Sequence, residues 1–249
     1  MSSPAVSKEQ KKDKKFLLIV VAASCLVAAM FGSRNSLSLT IEGIDQSQTL
    51  NYLQISFAFA LGQLVVGAIS PFAGMIADKY GSGKTLTVGI LLGLLGIILI
   101  PYSTTAFTLS ISLGVISSIG LGVAGLPVVL ASVNRLIPQN KVGMAFGLVN
   151  AGQSLGQLIL APLAGFIIVN FGWILCILFL CTVLLLVLPF SFTLRSRTDT
   201  KQPSGVQTKS LSETLRIAFN TPSYIYLVVG FFVCGFHVAF IATHMPGVI

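Results

Sequence analysis

The sequence predicts an all-α membrane protein of seven spans, and three observations carry that reading. Hydrophobic residues make up 54% of the 249 and charged ones only 9%, whereas a soluble domain carries roughly 25% charged residues. Its apolar runs are continuous over about 20 residues, enough for a helix to cross the ~30 Å hydrocarbon core, and lack the ~10-residue alternation of barrel strands. Finally, of the 15 Lys and Arg residues all but Arg34 fall in the tail and loops on one side of the spans. A mean hydropathy of +0.92 excludes a disordered chain. The basic residues are distributed by topology, not gathered on a water-facing surface, so a nucleic-acid binder is excluded as well.

The spans read, in order, as Phe16 to Leu39, Leu50 to Ala73, Thr85 to Tyr102, Ala106 to Val133, Val142 to Val169, Phe171 to Leu194 and Tyr224 to Ile249. The first follows a basic tail over residues 1–15 and has Ala22-Ala23-Ser24-Cys25, a weak likeness to a cleavage site. Its apolar run continues past Cys25 and further spans follow, so it reads as an uncleaved span. Lys79 and Lys84 lie between spans two and three, Arg135 and Lys141 between four and five, and Arg195, Arg197, Lys201, Lys209 and Arg216 between six and seven. The opposite loops carry only Glu42 and Asp45. The positive-inside rule then places the N-terminus and the basic loops in the cytoplasm, as in a multi-pass protein of the plasma or inner membrane. The net charge of +8 is therefore a topology signal.

Residues 195–222 are polar and read as a cytoplasmic linker after a bundle over residues 16–194. Ser210-Leu211-Ser212-Glu213 fits a capping box. Leu211, Leu215, Ala218 and Phe219 then share a helical face, which predicts a short amphipathic helix stopped before Pro222. Residues 223–249 read as the first helix of an incomplete second bundle. Small residues four apart, Gly143/Gly147 and Gly152/Gly156, predict close helix packing. Pro127 and Pro162 predict kinks inside spans. Cys25, Cys176, Cys181 and Cys234 lie within spans without metal spacing, and read as small apolar residues. There is no phosphate-binding loop, no metal-ligand spacing and no acid pair within a span, so neither an enzyme nor a cofactor or metal is expected. A seven-span receptor or retinal protein is discounted. The N-terminal lysines oppose an outside N-terminus, and the seventh span has no lysine.

The loop after the second span reads Gly74-Met75-Ile76-Ala77-Asp78-Lys79-Tyr80-Gly81-Ser82-Gly83-Lys84. It resembles the G-x-x-x-D-R/K-x-G-R/K-R/K signature of the major facilitator superfamily. Gly74, Asp78, Lys79 and Gly81 match, whereas Ser82 and Gly83 stand at the two basic positions and Lys84 follows one place on. Gly74 is expected to admit a close helix and Gly81 to take a positive-φ turn. The resemblance implies an N-terminal six-helix bundle of two three-helix inverted repeats, with the first, fourth and seventh spans lining a central cavity. It also implies that Asp78 pairs with Arg135 and caps a helix of the second half in one conformational state. The runs Gly32-Ser33-Arg34-Asn35-Ser36, Gly152-Gln153-Ser154-Leu155-Gly156-Gln157 and Phe231-Phe232-Val233-Cys234-Gly235-Phe236-His237 are similar to the monocarboxylate porter branch and its oxalate/formate relatives. Those relatives carry small carboxylates, often with a proton. Transport of a small organic anion by alternating access is thus the expected function, with the bilayer as solvent. The missing C-terminal helices would be the natural structural partner. The alternative is a truncated chain with helix–helix interaction capacity alone.

The candidate substrate residues are Arg34, Asn35, Asn150, Gln153, Gln157 and His237. Arg34 is the one basic residue inside a span. A charge at depth costs about 2.5 kcal/mol or more, so it faces a cavity or a partner, or else snorkels to the interface. A guanidinium suits bidentate carboxylate recognition. Gly32-x-Arg34 and Gly235-x-His237 correspond if the first and seventh spans are repeats, and an imidazole titrates near neutrality and so suits a proton acceptor. The bland reading of His237 is helix–helix glue. Asn150, Gln153 and Gln157 share one helical face, and either line a water-filled path or bond to neighbouring helices. Gln54 and Gln63 carry the same alternatives.

Overall fold

The computed structural model describes residues 4–47, 50–195, 217 and 219–244, which are almost entirely helical. The chain divides into two compact units, residues 1–198 and 199–249. The amphipathic helix expected over Ser210–Phe219 lies outside the described residues except at Ile217 and Phe219.

In the first unit, α1 (Pro4–Leu37) continues through a 3₁₀ turn (Ser38–Thr40) into α2 (Ile41–Ser47). Then follow α3 (Tyr52–Tyr80), α4 (Ser82–Ile98), α5 (Ala106–Leu109), a π-helical segment (Ser110–Ser117), α6 (Ser118–Val123), α7 (Leu126–Leu136), α8 (Val142–Phe171), α9 (Trp173–Val187) and α10 (Phe190–Thr193). Together they make six stretches long and apolar enough to cross a membrane: Lys14–Asp45, Tyr52–Tyr80, Ser82–Tyr102, Ala106–Leu136, Gln139–Phe171 and Trp173–Thr193. The second unit contains α11 (Pro222–His244), 23 residues long. At 1.5 Å per residue that is about 35 Å of helix.

Lipid tails are as apolar as leucine, so a bundle in lipid is held by close packing rather than by exclusion from water. Glycines make that approach possible between α1 and α8. A side chain at Gly156 would run into the backbone of Ala28, one at Gly152 would meet Ser24 Cβ at 2.7 Å, and one at Gly32 would meet the Gly156 carbonyl oxygen, also at 2.7 Å. The two helices run parallel in this register, and the Ser24 hydroxyl adds a bond to the Leu148 carbonyl at 3.3 Å. A second glycine seam joins α4 to the fourth span, where Gly96 lies against Ser117 and Gly120 against Gly93.

Three packing expectations are corrected. Nothing among the described residues lies within 4 Å of a Cβ placed at Gly143, Gly147 or Gly74. The first two point away from the α1 seam that Gly152 and Gly156 occupy, and Gly74 admits no close helix within this unit. The fourth span is broken rather than kinked at Pro127. Its helix stops at Val123, turns at Ala124–Gly125 and restarts at Leu126, so that Pro127 sits in a first turn where it gives up no intrahelical bond. Pro162 does lie inside a continuous helix, α8, and so does Pro71 in α3.

The basic loops gather at one end of the unit. Lys141 Nζ lies 5.2 Å from the ring centre of Phe16. Asp78 pairs with Arg135. The Ser82 hydroxyl donates to the Leu194 carbonyl at 2.9 Å, and the backbone at Gly83 lies against Arg195. At the other end, Gly43 of α2 rests on the Trp173 ring.

Candidate functional site

Two constellations stand out in the first unit, one inside it and one at its basic rim. The inner one begins with Arg34. Counting along the Lys14–Asp45 span, it lies about 7 Å from the middle, on the side of Glu42 and Asp45. Its guanidinium does not stand free: an Nη2–H donates to Oε1 of Gln63 on α3. Gln63 lies about 4.5 Å from the middle of its own span, displaced toward the same end. The pair therefore meets at a common depth. The α1 and α3 backbones scarcely approach each other, since α1 packs chiefly on α8 and α3 on the fourth span. Two long polar side chains cross the space between them.

Around this pair the other candidates are placed unevenly. Asn35 follows Arg34 on α1 and is half-buried, its carbonyl accepting from the Ser38 hydroxyl at 2.7 Å. On α8, Gln153 and Gln157 are half-buried near the middle of the span, while Asn150 is exposed and donates to the Phe146 carbonyl of its own helix at 3.0 Å. The α1–α8 register sets Arg34 level with Pro162, so Gln157 lies roughly 7 Å and Gln153 roughly 13 Å away along the axis. His237 belongs to α11 in the second unit. Among the described residues, no group of three His, Cys, Asp or Glu side chains has the arrangement to hold a metal.

The rim constellation is the Asp78–Arg135 ion pair, which bridges the end of α3 and the last turn of α7. Gly81 makes the turn that presents Asp78, with φ +91° and its N–H donating to the Ala77 carbonyl at 3.0 Å. That φ is rarely adopted by residues with a Cβ. Lys79 is exposed and lies with its Nζ 5.2 Å from the Tyr80 ring centre, and Lys84 is exposed on the first turn of α4.

Sequence reasoning left Gln63 undecided alongside Gln54, and the structure separates them. Gln54 accepts from the Asn51 backbone N–H at 3.2 Å and so closes the start of its own helix. Gln63, two and a half turns on, has no helix end to satisfy. Their positions within α3 were the available signal.

Six membrane-length helices, with an arginine inside the first and an ion pair at one rim, define a polytopic α-helical membrane protein. The profile of the Major Facilitator Superfamily matches residues 21–248, and the chain belongs to that family. It is 28% identical over 162 residues to the riboflavin transporter RibZ of Clostridioides difficile, covering 65% of this chain and 35% of that protein. It is 25% identical over 178 residues to monocarboxylate transporter 11 of Mus musculus, covering 72% and 39%. These kin are transporters, not enzymes. The fold matches the POT family transporter PepTSo with a TM-score of 0.60 at 15% identity, covering 94% of this chain and 52% of that one. The chain thus spans less than half the length of the curated relatives it matches.

Proposed function

We propose that this chain forms the N-terminal part of a secondary transporter that moves a small organic anion by alternating access, coupled to a proton. The carrying observation is Arg34: its guanidinium is engaged by Gln63 at depth instead of reaching for the interface. An arginine held there is retained for something that needs a positive charge inside the membrane. A carboxylate satisfies that need, because it can accept two parallel N–H bonds from one guanidinium. Asn35, Gln153 and Gln157 offer neutral polar groups to the remainder of such a ligand. His237 is proposed to take the proton on the seventh span. Asp78, Lys79, Gly81, Lys84 and Arg135 form the rim switch, with Asp78 exchanging partners as the cytoplasmic side opens and closes. The named activities of the relatives, riboflavin and monocarboxylate transport, differ in substrate charge and size, so the substrate has to be read by assay.

The test is uptake by the full-length protein in liposomes, with and without an inward proton gradient, across acetate, lactate, pyruvate, oxalate and riboflavin. Carboxylate uptake stimulated by the gradient is expected. Arg34→Gln should insert normally and raise the half-saturating concentration about tenfold or more, as expected for losing a charge-assisted bond of about 1.5–3 kcal/mol. Riboflavin uptake without carboxylate uptake would overturn the anion assignment. An Arg34→Gln protein with unaltered half-saturation would remove Arg34 from the site.

A further inference from the structure

We propose that Gln63 is a positioning residue: it holds the Arg34 guanidinium off the interface and turned toward the bound carboxylate. The inference rests on the anion reading above and adds to it a residue from another helix.

The argument starts from what a lone arginine does in a membrane helix. Its stem is flexible, and unless something restrains it the head moves toward water along the nearest interface. Arg34 lies on the side of its span nearer Glu42 and Asp45, so the outer interface is the shorter route. Gln63 lies at matching depth on the neighbouring span and accepts from Nη2. Since α1 and α3 are not packed backbone to backbone here, the bond itself fixes where the guanidinium stands.

The chemistry of the acceptor matters as much as its place. A guanidinium has five N–H donors and no acceptor. An amide oxygen takes up one of them and leaves the full positive charge in place for an incoming anion. A carboxylate at position 63 would hold the arginine as well but cancel its charge. A leucine would cancel nothing and hold nothing. The three side chains are close in size, so the comparison isolates the acceptor and its charge from the space it fills.

Two readouts test this in the full-length protein. The first needs no substrate: the rate at which p-hydroxyphenylglyoxal modifies Arg34, followed by mass spectrometry of the peptide that contains it. The reagent needs free guanidinium nitrogens. Gln63→Leu should speed modification at least threefold, and Gln63→Glu should slow it by a similar factor. The second readout is carboxylate uptake in liposomes. Gln63→Leu and Gln63→Glu should each raise the half-saturating concentration about tenfold with little change in maximal rate. Gln63→Leu should add nothing further in an Arg34→Gln background.

If both substitutions leave the modification rate of Arg34 unaltered, the proposal is overturned. It is also overturned if Gln63→Leu costs the same in the wild-type and Arg34→Gln backgrounds, since that is the mark of a packing role. Should Gln63→Leu fail to insert, Gln63→Glu keeps the polar contact and carries both readouts alone. A wild-type protein that takes up no carboxylate, but whose Arg34 modification responds to position 63 as expected, would sink the anion reading and leave the anchoring of Arg34 by Gln63 supported.

Discussion

Asp78 and Arg135 keep 53% and 35% of their side-chain surfaces accessible, and that exposure sets what the pair can contribute. An ion pair so open to solvent contributes about 0–1 kcal/mol to stability. It is too weak to hold the bundle together, and weak enough to break and re-form within a transport cycle. Asp78→Asn is therefore expected to leave folding and substrate affinity close to wild type while slowing the exchange of substrate across the membrane several-fold. Counterflow measured alongside equilibrium binding separates the two. Weakened binding with a normal exchange rate would place Asp78 in the substrate site instead of the switch. Of the rim pair, Asp78 was legible because Gly74, Asp78, Lys79 and Gly81 form a continuous pattern, and Arg135, 57 residues on, was reached only through the family resemblance that pattern carries. The Arg34–Gln63 bond was not, because no motif marks Gln63 as a partner across the 29 residues that separate them. Only the relative placement of α1 and α3 in space decides whether a glutamine caps its own helix or crosses to another.

At the scale of the helix, glycine spacing specifies that a close approach is possible without saying which glycine is used. Gly143/Gly147 and Gly152/Gly156 look alike as four-residue pairs, yet only the second pair faces α1. The physical reason is rotation: nine residues separate Gly143 from Gly152, an angular offset of half a turn at 3.6 residues per turn. The two pairs consequently make opposite predictions. Gly156→Val drives a branched side chain into the Ala28 backbone, and should destabilise the bundle by about 1–3 kcal/mol or more. At Gly147 an added Cβ meets nothing among the described residues within 4 Å, and Gly147→Val should leave the thermal unfolding midpoint of the purified protein within about a degree or two. Equal losses from both substitutions would mean that the α1–α8 seam is not where this packing places it. The π-helical segment at Ser110–Ser117 belongs to the same class of features. A run of apolar and small residues marks a span without showing the wider turn, which in the structure places Gly114 against Ala58 and Leu61 of α3 and Ser117 against Gly96 of α4.

For the whole molecule, orientation in the membrane follows from where the basic residues gather. The continuous apolar runs were enough to locate the six spans of the first unit, while the seventh run appears among the described residues as a shorter apolar stretch, Pro222–Val238. The structure gathers the ends of those spans into two rims, one with Asp78–Arg135, Lys141 and Arg195 and the other with Gly43 against Trp173. Lys and Arg resist translocation during insertion, so the first rim should face the cytoplasm. That assignment can be checked with single cysteines in a background where Cys25, Cys176, Cys181 and Cys234 are replaced by serine or alanine. Asn140, in the loop before α8, and Thr105, at the start of α5, are both exposed and belong to opposite rims. In intact cells a membrane-impermeant maleimide should label Thr105→Cys, and should label Asn140→Cys only after the membrane is opened. The reverse pattern would invert the protein and turn the Asp78–Arg135 switch into an outward-facing gate. It would also mean that the basic loops were translocated against the rule that most multi-pass proteins obey. Labelling of both positions in intact cells would point to dual insertion, in which each orientation presents the Arg34–Gln63 pair from the opposite side.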